Sequence, residues 1–342
     1  MTNNATAHFA HLINLADEAL GAQALVCSDD FFASMHHLVK PGRGEFDPDA
    51  YGERGKIMDG WESRRKRETG YDWCILKLGA PGVVRLLDID TNHFLGNHPP
   101  YASVEGTHAP MDATPEQLAS ATWTSVLQQV PLRSGSQNIF ASHSAETLTH
   151  LRLNIFPDGG VARLRAYGDV AAQWDAPSDP ELAKHAQPGE VDLAAVRNGG
   201  LALACSDSFF GPMNNLLLPG RSVNMGGGWE TRRRRSPGSD WIVVRLGAPG
   251  TPTALELDTN HFKGNFPARA SVELAHAPGA SLTELVAPEF EWTPLLGETA
   301  LSAHTRHFFR DELSAVGPAT HVRLSIYPDG GISRMRVLGA RR

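Results

Sequence analysis

Apolar and polar positions along this chain alternate in short runs broken by Gly and Pro, the pattern of strands and turns rather than of long helices. Trp73–Leu78 reads as one strand, Gly79-Ala80-Pro81-Gly82 as a turn, Val83–Asp90 as a second strand and Ala102–Thr107 as a third. In Val83–Asp90 the side chains are expected to part: Arg85, Leu87 and Ile89 to one face, and Val84, Leu86, Asp88 and Asp90 to the other. That would gather two carboxylates at the end of one face. His150–Tyr167 and His321–Val337 each flank an Asp-Gly pair with alternating residues, which predicts hairpins turning at Asp158-Gly159 and Asp329-Gly330. A two-residue loop would set Phe156 opposite Val161, Asn154 opposite Arg163 and Arg152 opposite Arg165. It would likewise set Ser325 opposite Arg334 and Arg323 opposite Arg336. Such facing cations call for an anion between them. Either the strand acids Asp88, Asp90 or Glu105 fill that role, or a substrate carboxylate does. Residues 1–20 space Phe9, Leu12, Ile13, Leu15, Ala16 and Leu20 as a short amphipathic helix would, and are expected to form a peripheral arm.

The pattern occurs twice. Asp59–Glu105 returns as Gly227–Glu273 at a constant spacing of 168 positions, so that Trp61 answers to Trp229, His93 to His261 and Glu105 to Glu273. Upstream, ALVCSDDFFASMHHLVKPGR and ALACSDSFFGPMNNLLLPGR lie 178 apart, so the first copy holds ten extra residues within FDPDAYGERGK, a surface-loop insertion. Between the copies, Ala171–Val191 carries three prolines and little periodicity, as a linker does. The expected organisation is an arm over 1–20, repeats over 21–170 and 191–342, and a linker over 171–190, with the boundary near residue 180. Short strands at this spacing predict an all-β sandwich or jelly roll in each repeat.

Composition changes this picture little. A chain of 342 residues with 41% hydrophobic and 20% charged residues suits two soluble domains. A formal charge of -7 gives no reason to expect nucleic acid or an anionic membrane, despite the basic runs Arg64–Arg67 and Arg232–Arg235. Cys27, Cys74 and Cys205 lack metal-binding spacing and read as reduced thiols. Without a signal-like N-terminus or an apolar span, the expected location is the cytoplasm.

The candidate chemistry lies in polar residues that stay in step through the duplication. GWE[ST]RR sets Trp61, Glu62, Arg64 and Arg65, and again Trp229, Glu230, Arg232 and Arg233, within a few positions. Guanidinium forks hold planar carboxylates and ureido oxygens and can stack on indole. The alternative is a solvated basic loop. Asp90, Asn92 and His93, with Asp258, Asn260 and His261, follow a strand, either as binding groups or as a self-capped turn. His93/His261, His108/His276 and His150/His321 could each exchange protons near neutral pH. Asp90, His93 and Glu105 could hold a metal, but no HxxxH or HxH spacing supports one. No P-loop, dinucleotide fingerprint or nucleophile elbow is present.

DGWESRRKR, DIDTNHFLGNHPPYASVEG and RLNIFPDGGVARLRAYG, with GGWETRRRR, LDTNHFKGNFPARASVE and RLSIYPDGGISRMRV, resemble the allantoicase family from about Leu25 to Gly339. The resemblance implies two tandem jelly-roll domains of the galactose-binding-like sandwich type. It also implies a hydrolase acting on a linear C–N bond, converting allantoate to ureidoglycolate and urea in purine breakdown. For that reaction the expected acid–base residues are Glu62, His93, Glu105 and His108, with Glu230, His261, Glu273 and His276. The expected substrate-binding residues are Trp61, Arg64, Arg65, Asp90, Asn92 and Arg152, with Trp229, Arg232, Arg233, Asp258, Asn260 and Arg323. No metal or other cofactor is assigned. The expected partners are a small substrate and further copies of the chain, with neither nucleic acid nor membrane. The alternatives are an enzyme acting on a neighbouring ureido compound such as ureidoglycolate, and a non-catalytic sandwich that binds small ligands. Asp59, replaced by Gly227 in the second copy, would mark the first repeat as the working one; alternatively, a site could lie between repeats.

Overall fold

Two compact units, Leu12–Ala171 and Ala172–Arg342, make up the computed structural model, which describes residues 12–175, 177 and 179–342. Each unit is all-β and is built around one 19-residue strand. The first unit runs β1 (Ile13–Asn14), β2 (Gln23–Cys27), β3 (Tyr51–Gly52), β4 (Gly55–Lys56), β5 (Trp61–Glu62), β6 (Asp72–Asp90), β7 (Tyr101–Thr107), β8 (Thr124–Pro131), β9 (Ile139–Ala141), β10 (Thr147–Phe156), β11 (Gly160–Val161) and β12 (Arg163–Val170). The second runs β13 (Val191–Asp192), β14 (Leu201–Cys205), β15 (Trp229–Glu230), β16 (Asp240–Asp258), β17 (Arg269–Ala275), β18 (Thr293–Ala300), β19 (Arg306–Phe309), β20 (Ala319–Tyr327), β21 (Gly331–Ile332) and β22 (Arg334–Arg341).

The expected turn at Gly79–Gly82 is instead a corner inside β6. Residues 72–77 of β6 pair with β10 and β2, whereas residues 82–90 pair with β12 and β9, β10 reaching past the corner only to Gly82 and Val83. One strand therefore carries a single eight-stranded sheet around the corner, bending where Gly and Pro allow it. The glycines have a second reason to be there. A Cβ on Gly79 would lie 2.6 Å from Leu20, and one on Gly82 would lie 2.5 Å from the Asp169 carbonyl oxygen. β16 repeats the device, with Gly247 against Asn198 and Gly250 against Leu193.

Register corrects the sequence reading twice more. A bulge at Arg85 lets Leu86 face Tyr167 and Val84 face Gly168, so Val84 is buried along with Leu87 and Ile89 while Arg85 is exposed. The expected hairpins do not form: β10 and β12 each pair with β6, which lies between them, and not with each other. Arg152 consequently faces Glu105 and Ile75, while Arg165 faces Asp88. The Asp-Gly signal has another physical use. Asp158 Oδ2 accepts the Lys66 amide at 2.7 Å, and Gly160 donates to the Asn97 carbonyl at 2.8 Å.

Nor do the described residues before position 21 form a helix. Ile13–Asn14 pair with β12, and Glu18–Leu20 make a 3-10 turn capped by Asp17, with Leu15, Ala16 and Leu20 buried. Residues 1–11, including Phe9, lie outside the described residues. In the stretch expected as a linker, the helical turn Pro180–His185 buries Leu182 against Ala254, Leu338 and Phe308.

Candidate active site

Three motif loops meet at one end of the first repeat because the backbone ties them together. Ser63 N–H donates to the Gly159 carbonyl at 3.1 Å, and the amide of Gly159 donates back to Ser63 Oγ at 3.3 Å. Phe94, fully buried, is the wedge that sets their spacing. A Cβ on Gly60 would lie 2.6 Å from its ring, and one on Gly160 only 2.0 Å away. The second repeat wedges Phe262 between Gly228 and Gly331 in the same way. These glycines, conspicuous in both motifs, are there for close approach.

The wedge presents its neighbours, Glu62 and His93, to a cavity of about 370 Å³, which Asn97, Arg54, Lys56 and Phe46 also line. Burial pushes the Glu62 carboxyl above its ordinary range, and the bond from Asn97 Nδ2 at 2.7 Å partly opposes this. His93 holds φ at 67°, a left-handed conformation that non-glycine residues rarely adopt, and its ring stacks on Phe46 at 5.3 Å. The ten-residue insertion supplies the far wall as a hairpin, β3–β4. Lys56 Nζ lies 4.6 Å over the Phe46 ring, and Arg54 donates to the Phe31 carbonyl at 2.8 Å while stacking on that ring. Asp59 fastens the insertion's base by accepting the Glu45 amide at 2.9 Å and pairing with Arg163 at 2.7 Å. The cavity thus sets a half-buried carboxyl and an imidazole beside two cations.

The other candidate residues stand elsewhere. Trp61 is fully buried, donating to the Asp29 carbonyl at 2.8 Å, and Arg64 pairs with Asp29 at 2.6 Å. Arg65 is exposed. Asp90 is gripped by Arg43 at 2.8 and 2.9 Å, and Asn92 Nδ2 donates to the Gly44 carbonyl at 2.8 Å. Glu105 lies on the sheet face with Arg152 and Asn154, at 2.7 and 2.9 Å, so it is not grouped with Asp90 and His93. His108 Nδ1 lies 3.1 Å from the Thr147 carbonyl. Among the described residues, no group of three His, Cys, Asp or Glu side chains is placed to hold a metal ion.

The second repeat keeps this frame without the hairpin. Trp229 donates to the Asp207 carbonyl at 2.8 Å, Arg232 pairs with Asp207 at 3.0 Å, and Asn265 bonds Glu230. Asp258 is held by Arg221 at 2.9 Å, Asn260 donates to the Ser222 carbonyl at 2.9 Å, and Arg323 pairs with Glu273 at 2.6 Å. His261, with φ at 69°, is turned to the Ser222 carbonyl at 3.0 Å, while Arg233 and His276 are exposed. The residues that sequence reading missed are Asn97 and the insertion's Phe46, Arg54 and Lys56. The matched Gly-Asn pair signalled the first; nothing in one copy of an insertion signals the others.

The family model described as Allantoicase repeat matches residues 13–171 and again 191–342. The chain belongs to the allantoicase family. It is 48% identical over 336 residues to a probable allantoicase 1 of Burkholderia mallei, covering 98% of this chain and 96% of that one. It is 47% identical over 332 residues to a probable allantoicase of Photobacterium profundum, covering 97% of each. A crystal structure of allantoicase from Saccharomyces cerevisiae superposes with a TM-score of 0.82 at 32% identity, covering 99% of this chain and 98% of that one. At these identities the allantoicase fold, duplicated sandwich included, carries over to the whole chain.

Proposed function

We propose that this allantoicase-family chain hydrolyses allantoate to ureidoglycolate and urea, and that the chemistry takes place in the Glu62 cavity of the first repeat. The observation that carries the choice of repeat is the insertion hairpin, which sets Arg54 and Lys56 across the cavity from Glu62 and His93. Allantoate presents a carboxylate and two ureido arms on one carbon. The two cations suit the carboxylate, and the volume falls within the usual range for small-molecule sites. One C–N bond breaks: the leaving nitrogen takes a proton as urea departs, and the oxygen of water ends on the carbon as hydroxyl. Glu62, kept protonated more readily by burial and steadied by Asn97, supplies the first proton. His93 receives the proton that water gives up, so the two groups end with protonation states exchanged and reset through solvent. Trp61, Arg64 and Asp90 act behind this pair, anchoring the loops that carry it.

Urea release from allantoate by the purified protein tests the reading. Glu62→Gln is expected to lower turnover about 100-fold or more, the usual worth of a positioned proton donor, with Glu230→Gln close to the parent protein. Equal losses in both variants would overturn the assignment to one repeat. No release from allantoate by the parent protein would overturn the reaction.

A further inference from the structure

The second repeat holds a separate hollow of about 390 Å³ on its sheet face, where β16, β20 and β17 lie side by side. Register places Ser325 between Trp241 and Ser271, and Arg323 opposite Glu273. Arg323 Nε donates to Glu273 Oε2 at 2.8 Å, and Nη2 lies 2.6 Å from the same oxygen. Glu273 Oε1 and Arg323 Nη1 take no part in those two contacts. Around them stand the hydroxyls of Ser239, Ser325 and the bonded pair Ser271 Oγ and Tyr327 Oη, 3.0 Å apart.

The first repeat shows how the same face looks when it is filled. Arg152 and Glu105 make the same pair there, but Asn154 occupies the place of Ser325 and donates to Glu105 Oε2 at 2.9 Å and to Ser103 Oγ at 3.2 Å. Tyr71 and Phe156, whose counterparts are Ser239 and Tyr327, pack ring to ring at 4.9 Å. In the second repeat, Ser325 and Ser239 are too short to do either. The duplication has therefore kept the ion pair and removed what covers it.

We propose that this hollow binds a neutral ureido group. The pair it exposes is neutral overall, with a carboxylate oxygen to accept adjacent N–H groups and a guanidinium to donate to a carbonyl, the complement of a planar urea. A sugar ring needs an open aromatic face, and of the two rings that line the hollow, Trp241 and Tyr327, the second already carries a cation over it. Arg323 lies 5.1 Å over Trp292, and Arg269 lies 5.8 Å over Tyr327. The choice of ligand class rests on the allantoate reading, since urea is what that reaction releases; the existence of the hollow does not.

Isothermal titration calorimetry of the full chain with N-ethylurea tests it, with xylitol as the polyol arm. A ligand this small is limited to a dissociation constant of about millimolar. Binding is expected in the parent protein, unchanged in Glu62→Gln, and weakened at least about tenfold when Ser239→Tyr and Ser325→Asn restore the residues of the first repeat. Those residues already fold in this sheet in the other copy, and allantoate turnover of the double variant is expected to equal that of the parent. Equal binding by the double variant, no binding by the parent protein, or preference for xylitol overturns the proposal. Loss of turnover in the double variant would place the chemistry on the sheet face and overturn both this proposal and the Glu62 assignment.

Discussion

His93 is where local strain coincides with the proton acceptor proposed above. Its left-handed φ of 67°, shared by His261 at 69°, costs a non-glycine residue about 1–3 kcal/mol, which the buried Phe94 beside it holds in place. His93→Gly is therefore expected to leave thermal stability unchanged or slightly raised while urea release falls about 100-fold; a matched loss of stability and activity would contradict it. His150 makes a different prediction. Fully buried, with Nδ1 on Thr149 Oγ1 at 2.9 Å, it is pushed by desolvation from 6.5 down to about 4. As pH falls, the unfolded chain takes up this proton first, so the contribution is intact above pH 6.5 and is lost progressively towards about 4. Denaturant titrations across that window should show a steeper fall for the parent protein than for His150→Gln.

At the scale of elements, the insertion is the difference that matters between the repeats. Sequence reading could place it in a surface loop from the change of spacing alone, but its course over the Glu62 cavity follows from Asp59, Arg163 and the Glu45 amide. Removing both cations, Arg54→Ala with Lys56→Ala, is expected to raise KM for allantoate about tenfold or more, with a smaller change in kcat. An unchanged KM would take the hairpin out of substrate binding. The long strands teach a complementary lesson. Gly79-Ala80-Pro81-Gly82 has the composition of a turn, and only the pairing of the residues on either side of it shows it to be a bend within one strand.

For the whole molecule, every residue assigned to the reaction lies in one repeat, so the second copy should add nothing to turnover. The variant carrying both Glu62→Gln and Glu230→Gln is expected to release urea at the rate of Glu62→Gln alone, within about a factor of two. A further drop on adding the second substitution would mean that both repeats turn over substrate.

The sequence by itself determined the duplication, the all-β class, the family and the motif loops, because these rest on spacing and on residues such as Trp61, Phe94 and Gly160 whose roles are local. It also placed Glu62 and His93 among the candidates. What it left open was which candidates would meet. Asp90 reads as a substrate-binding group and Glu105 as an acid or base, yet Arg43 claims the first and Arg152 the second, from positions about fifty residues away along the chain. The Asp-Gly pairs predicted hairpins, but long-range pairing with β6 outweighed the local turn preference. Only the tertiary structure decided that the insertion faces the carboxyl of Glu62, because that proximity is set by packing between segments whose separation in sequence carries no periodic signal.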